Sequence, residues 1–206
     1  MNKGIIVYTF IILFALINIK TYSQSNFSFR ISGLNYCFTD YSINNQFQNT
    51  LNKNKKILLE SGIIITYDNF ITGDYFSLRL KQGLFLDKMN MKSGFTSIGL
   101  RRKIFSSFEH SLNIAVGPCI NYRESWNKIS DYDNEDNYKV SGNIEHKFLI
   151  LNAELEYNYS ISPKSDISFS INYNQPYTVG FSVGLRYWFN KKVRNKKKCI
   201  SCPSFH

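Results

Sequence analysis

Three groups of residues in this chain are of types that could do chemistry. Glu109-His110-Ser111 sets an acid, an imidazole and a hydroxyl side by side, the groups from which hydrolytic nucleophiles are assembled. Asp131-Tyr132-Asp133-Asn134-Glu135-Asp136 brings carboxylates close enough together to hold Ca²⁺. Cys199, Cys202 and His206 form a Cys-x-x-Cys with a trailing histidine, three of the four ligands a zinc site needs. Each group meets a physical objection. Adjacent residues of a strand point to opposite faces, so His110 and Ser111 would not meet on one. Counted from Asp131, the acidic run has no glycine at the sharp-turn position and ends on Gly142 where a Ca²⁺ loop needs a bidentate glutamate. The cysteine pair lacks a fourth ligand nearby, and in an oxidising compartment a Cys199–Cys202 disulfide is the expected outcome. No catalytic residue, cofactor or metal ligand is assigned.

Charge is the more informative signal, through its placement. The 206-residue chain carries a formal +10, yet Lys191, Lys192, Arg194, Lys196, Lys197 and Lys198 crowd into its last stretch and leave the body near neutral. A near-neutral body excludes nucleic acid as the expected partner. Anionic lipid headgroups or cell-wall polymer suit the basic tail, residues 190–206, which is otherwise expected to be disordered.

The elements that must position these residues begin with an export signal. Met1-Asn2-Lys3 is basic, Ile5 to Ile19 is almost wholly apolar, and Thr21-Tyr22-Ser23 offers small residues for cleavage. The apolar run is shorter than the roughly 20 residues of a membrane-spanning helix. Residues 1–23 are therefore read as a signal peptide and 24–189 as the folded body.

Within the body, apolar residues alternate. Leu112, Ile114, Val116, Pro118, Ile120 and Tyr122 fall on one face, with Ser111, Asn113, Ala115, Gly117, Cys119, Asn121 and Arg123 on the other. The same period marks eight segments, at roughly 26–38, 57–70, 74–87, 93–105, 109–126, 145–161, 166–174 and 177–189. Tight turns follow the second, fourth and sixth; the connections at 39–56 and 127–144 are long. Even strand number with turns at one end and loops at the other predicts an all-β, eight-stranded antiparallel up-and-down barrel. Cys37 and Cys119 fall on strands roughly opposite one another, so no bridge is expected between them.

Two features turn the apolar face outward. Tyr67, Tyr157, Tyr159, Tyr187 and Phe189 lie towards the tight-turn end, and Tyr36, Tyr122, Trp126, Tyr173 and Tyr177 towards the loop end, with aliphatic residues such as Ile63, Leu100, Ile114, Leu155 and Val183 between. Interfacial aromatics flanking an aliphatic band are what a bilayer selects. Tyr177 and Tyr187 are separated by roughly 25 Å along the normal, at about 3.3 Å per residue and about 40° of tilt. The opposite face carries Arg30, Glu60, Asp68, Arg79, Lys81, Arg101, Lys103, Arg123, Glu154, Glu156, Asp166 and Arg186, expected to pair in an enclosed, side-chain-filled interior that acts as a plug. The competing arrangement is a soluble, lipocalin-like binding barrel with the faces exchanged.

With Gly180-Phe181-Ser182-Val183-Gly184-Leu185-Arg186-Tyr187-Trp188-Phe189 at the end of this pattern and the signal at its start, the chain resembles the outer-membrane β-barrel family of Gram-negative bacteria, in particular the small eight-stranded kind. The resemblance covers about residues 24–189 and is architectural. It implies an outer-membrane location with periplasmic termini, the lipid bilayer as partner, and recognition of Phe181, Val183, Leu185, Tyr187 and Phe189 by the barrel-assembly machinery. It also implies a structural or surface-interaction role through the loops. Some members are lipid A deacylases whose His and Ser lie two apart on one face; His110 and Ser111 match neither that spacing nor the loop end at which lipid A lies. Such barrels commonly end at the final aromatic, and this chain continues from Asn190 to His206.

Overall fold

The computed structural model describes residues 24–38, 48, 50–52, 54, 56–73, 75–129, 137–174 and 178–189. The strands are β1 Ser25–Cys37, β2 Ile57–Thr72, β3 Phe76–Leu86, β4 Lys92–Ser106, β5 His110–Glu124, β6 Lys139–Ser141, β7 Ile144–Ser162, β8 Ser165–Asn174 and β9 Thr178–Trp188. Every pairing is antiparallel, and two of them close the sheet: β1 pairs with β9, as in Phe27 with Tyr187, and β5 pairs with β7, as in Ile114 with Leu155. Eight long strands therefore form a complete barrel, which leaves it no open edge. The sequence placed residues 127–144 in one long loop. The structure instead finds a 3₁₀ turn at Trp126–Lys128 and the short β6, which folds onto β7 with Lys139 opposite His146. A two-residue turn with Gly142 at positive φ joins β6 to β7, the first central position at which a II′ hairpin calls for glycine.

The apolar face points away from the barrel axis. Ile31, Leu100 and Leu185 are about 61%, 57% and 60% exposed, whereas Arg30, Lys81 and Glu156 are almost completely buried. Aromatic side chains flank this band where they are described. Tyr157, Tyr159, Tyr187 and Phe189 are exposed near the tight-turn end, and Tyr36 is exposed near the loop end. Tyr177 lies outside the described residues. Trp126 corrects the sequence reading: it is buried inside the mouth, not set in the outer belt. β5 ends at Glu124, and the turn that follows breaks the alternation and carries the indole inward.

Strict alternation also fails at bulges, of which those in β1 and β7 re-aim the side chains that matter most here. Arg30 and Tyr36 have the same parity in β1 yet face opposite sides, because the register shifts between Ser32 and Leu34. The extra residue, Gly33, keeps the loop-end half of β1 with its aromatics outward. In β7 the register shifts opposite Pro118, between the pairs Gly117–Asn152 and Cys119–Leu149. Proline has no N–H to give to the ladder, so a bulge opposite it costs little further pairing.

Candidate functional site

Side chains that alternate inward from eight strands converge on the axis, and here they are charged. Glu154 and Glu156 come from β7, Asp68 from β2, Arg30 from β1, Arg79 and Lys81 from β3, Arg101 from β4 and Arg186 from β9; all are buried. Arg79 forks onto Asp68 at 2.7 and 2.9 Å and reaches Glu156 at 2.8 Å. Lys81 donates to Glu154 at 3.0 Å, Asn152 at 2.9 Å and Asn172 at 3.0 Å, which uses all three of its protons. Arg30 bonds Glu154 and, at 2.8 Å, the Thr66 hydroxyl. Arg186 bonds Glu156, while Arg101 lies 3.7 Å from Asp68 and 3.9 Å from Glu156. Burying these charges away from water is costly, and the ion pairs and hydrogen bonds they make with one another are what render them tolerable in a closed lumen.

Towards the tight-turn end, Phe70 and Trp188 stack at 5.3 Å, and Arg101 and Arg186 lie against these rings. The Trp188 indole donates to Asp166 at 2.8 Å. Lys103 is buried nearby and lies 5.7 Å from the Tyr75 ring. Towards the loop end the charge network is capped by an apolar cluster of Ile64, Phe95, Cys119 and Leu149, with Phe85 against it. Cys37 belongs to a separate cluster with Leu58, Met89 and Trp126. Both cysteines are free thiols.

The loop-end mouth is the second feature. Glu145, fully buried, accepts from Arg123 at 2.8 Å, from the Ser125 hydroxyl at 2.8 Å and from the Trp126 backbone N–H at 3.0 Å. The Arg123 guanidinium lies 3.7 Å from the Trp126 ring and 3.9 Å from that of Tyr138, a cation between two aromatic faces. Asp87, just beyond β3, accepts from the backbone N–H groups of Met89 and Met91, from Ser93 and, at 2.9 Å, from the Trp126 indole. Trp126 thus locks the β3–β4 connection to the β5–β7 loop. Burial pushes the Asp87 carboxyl above its ordinary value, against the pull of those donors. Below this lock opens a cavity of ≈ 110 Å³, with Glu60 held by Asn35 in its wall and Phe85 and Phe95 at its base.

The sequence-selected charges all point inward, but they do not form one site. Arg30, Asp68, Arg79, Lys81, Arg101, Glu154, Glu156 and Arg186 meet in the central network. Glu60 and Arg123 belong to the mouth, and Asp166 and Lys103 to the tight-turn end. Sequence reasoning missed Asp87, Lys88 and Glu145, which are also buried. The parity of Glu154 and Glu156 would turn Glu145 outward; the β7 bulge reverses it. The closing-strand residues Phe181, Val183, Leu185, Tyr187 and Phe189 are all exposed on the outer face. His110 is exposed and within 2.6 Å of the Tyr157 hydroxyl, while Ser111 is buried on the other face of β5, so the two do not form a nucleophile–base pair. Residues 131–136 and the tail with Cys199, Cys202 and His206 lie outside the described residues.

No family model matches the chain, and no curated protein does. Among solved structures it is similar to the Yersinia pestis attachment invasion locus protein Ail, crystallised with the heparin analogue sucrose octasulfate. That match has 13% identity, 81% of this chain and 97% of that one covered, and a TM-score of 0.44. It is also similar to Neisserial surface protein A, with 10% identity, coverage of 80% and 96%, and a TM-score of 0.48. A third is the N-terminal β-barrel domain of Pseudomonas aeruginosa OprF, with 14% identity, coverage of 81% and 99%, and a TM-score of 0.46. The likeness is one of architecture; the closed eight-stranded barrel stands on this chain's own strand pairing.

Proposed function

We propose that this chain is a small integral outer-membrane barrel that serves envelope structure or surface interaction through its loops, and that it is neither an open porin nor an enzyme. Export through residues 1–23 and periplasmic N- and C-terminal ends belong to the same reading. One observation carries it: the barrel is apolar outside and charged inside. A soluble barrel exposing Ile31, Leu100 and Leu185 to water would present an apolar belt far larger than soluble monomers tolerate. In lipid the same belt is the stable arrangement, and closure leaves no unpaired strand edge in the hydrocarbon. The non-porin part rests on the ion pairs and the apolar cluster that occupy the axis. Long loops on a rigid scaffold are where recognition is usually carried. The basic tail, residues 190–206, would then meet anionic headgroups or cell-wall polymer by charge alone, and the barrel-assembly machinery would read the closing strand.

Cell fractionation, followed by boiled and unboiled samples on a denaturing gel, tests the location and the closure together. Recovery in the outer membrane with a heat-dependent mobility shift is expected. Recovery from the soluble periplasm without a shift would overturn the reading in favour of the soluble binding barrel. The non-enzyme part is tested by lipid A acylation, which is expected to be identical in strains carrying the parent and a His110→Ala, Ser111→Ala variant.

A further inference from the structure

We propose that the tight-turn half of the lumen holds one small monovalent anion, of the halide class, between Arg30 and Arg186. The inference goes beyond the surface-interaction reading and rests on the closed barrel alone.

Charge balance comes first. On the tight-turn side of the apolar cluster around Ile64 and Leu149, the described residues include six buried cations: Arg30, Arg79, Lys81, Arg101, Lys103 and Arg186. The buried carboxylates on that side are four: Asp68, Glu154, Glu156 and Asp166. Asp74 falls between β2 and β3 in the sequence, and counting it as a fifth carboxylate still leaves one cation in excess. A charge left uncompensated in a closed lumen is costly, and one monovalent anion removes the imbalance.

The donors left over are grouped. Arg30 bonds Glu154 and Thr66 through its terminal nitrogens, and its Nε–H has no partner among the described residues. Arg186 bonds Glu156 through Nη2, and its Nε and Nη1 have none. The Ser28 and Ser168 hydroxyls are likewise buried without a partner. Strand register sets these four side chains on one stretch of wall. Ser28 of β1 lies opposite Arg186 of β9, and Gly184 of β9 lies between Arg30 of β1 and Ser168 of β8. Residues directly opposite on one face of a sheet are about 5 Å apart at Cβ, and Gly184 adds no side chain between its neighbours.

What these atoms share selects the ligand. A guanidinium N–H only donates, and a serine hydroxyl can donate beside it. A cation at this place would meet two positive charges. Unpartnered acceptors lie elsewhere: the oxygens of Asn113 and Asn158 belong to β5 and β7, and Asn26, with both amide atoms unpartnered, is nearer the tight-turn rim. Phosphate or sulfate would bring further negative charge with no cation left to meet it.

The test uses the full chain, refolded in detergent micelles in bromide or in gluconate at equal ionic strength. Crystals from bromide are expected to show an anomalous-diffraction peak between the Arg30 and Arg186 side chains. The urea midpoint should rise with bromide concentration and saturate, as it does when a ligand binds only the folded state. Unfolding opens the lumen, so this equilibrium is reached whatever the route of entry. The basic tail also attracts anions, and Ser28→Ala is the variant that decides. It removes a hydroxyl with no protein partner, so the heat-dependent mobility shift should stay. About tenfold more bromide should then be needed for the same rise, the loss of one hydrogen bond to a charged group. Ser168→Ala serves in the same way should Ser28→Ala not fold. A heat-shifting barrel with no peak between the two arginines overturns the inference, as does a bromide response unchanged in Ser28→Ala; water then meets these donors. Phosphate raising the midpoint at lower concentration than bromide, with the same dependence on Ser28, overturns it as well.

Discussion

Glu156 lies within ion-pair distance of Arg30, Arg79, Arg101 and Arg186, so its single charge is shared among guanidinium groups that cannot lose their protons. Glu156→Gln keeps the shape and removes the charge. It should destabilise the barrel by about 3–5 kcal/mol, because buried cations are left uncompensated, read as a lowered urea midpoint for protein refolded in lipid vesicles. Asp87 acts differently, as the acceptor that ties two loops to Trp126. Its carboxyl is raised above the ordinary 3.8 by burial, so the folded chain binds that proton more readily than the unfolded chain. The stability it contributes is full below 3.8 and is lost as pH rises from there through the raised value. Across that window the gap in urea midpoint between the parent and Asp87→Asn should change with pH. A gap that stays constant would show that Asp87 does not titrate there.

Strand elements here depend on departures from regularity, of which the bulge at Gly33 is the clearest. With Gly33 present, Leu34 and Tyr36 face outward and Cys37 inward. Deleting Gly33 would exchange those faces, placing Tyr36 in the lumen and Cys37 in the band. The deletion should abolish the heat-dependent mobility shift. Gly33→Ala meets nothing within 4 Å of its new Cβ and should leave the shift unchanged. This contrast separates the loss of a residue from the loss of a glycine. The strands themselves were legible in the sequence to within a few residues, because a period of two over ten or more residues has no competing explanation. The bulges were not, since an extra residue changes parity without changing composition. That is why the inward turn of Glu145 went unread.

At the scale of the whole molecule, the barrel's orientation towards its solvent can be tested by one charge. Ile31 is about 61% exposed and lies between the two aromatic belts. Ile31→Arg should cost about 2–4 kcal/mol in a bilayer, the penalty for arginine near the midplane of a membrane barrel, seen as a lower urea midpoint in vesicles. On a soluble barrel the same surface change would fall within about 0.5 kcal/mol of neutral. In a bilayer, substitution at the rim, where water is near, should cost far less than at Ile31, whereas on a soluble barrel the two positions should differ little.

Alternation, turn placement and the grouping of aromatics are local properties, and they determined from sequence alone that the chain is an eight-stranded up-and-down barrel with charge on one face. The partners of that charge were decided by the tertiary structure. Arg79 and Glu156 are far apart in sequence and meet only because the β1–β9 and β5–β7 seams close. The mouth required still more of the fold. Trp126 leaves the outer face because a turn follows Glu124, and it finds Asp87 across the lumen rim. Periodicity carries no information past the end of a strand, so which loop residues line a cavity is settled by where the closed barrel brings the ends of its strands together.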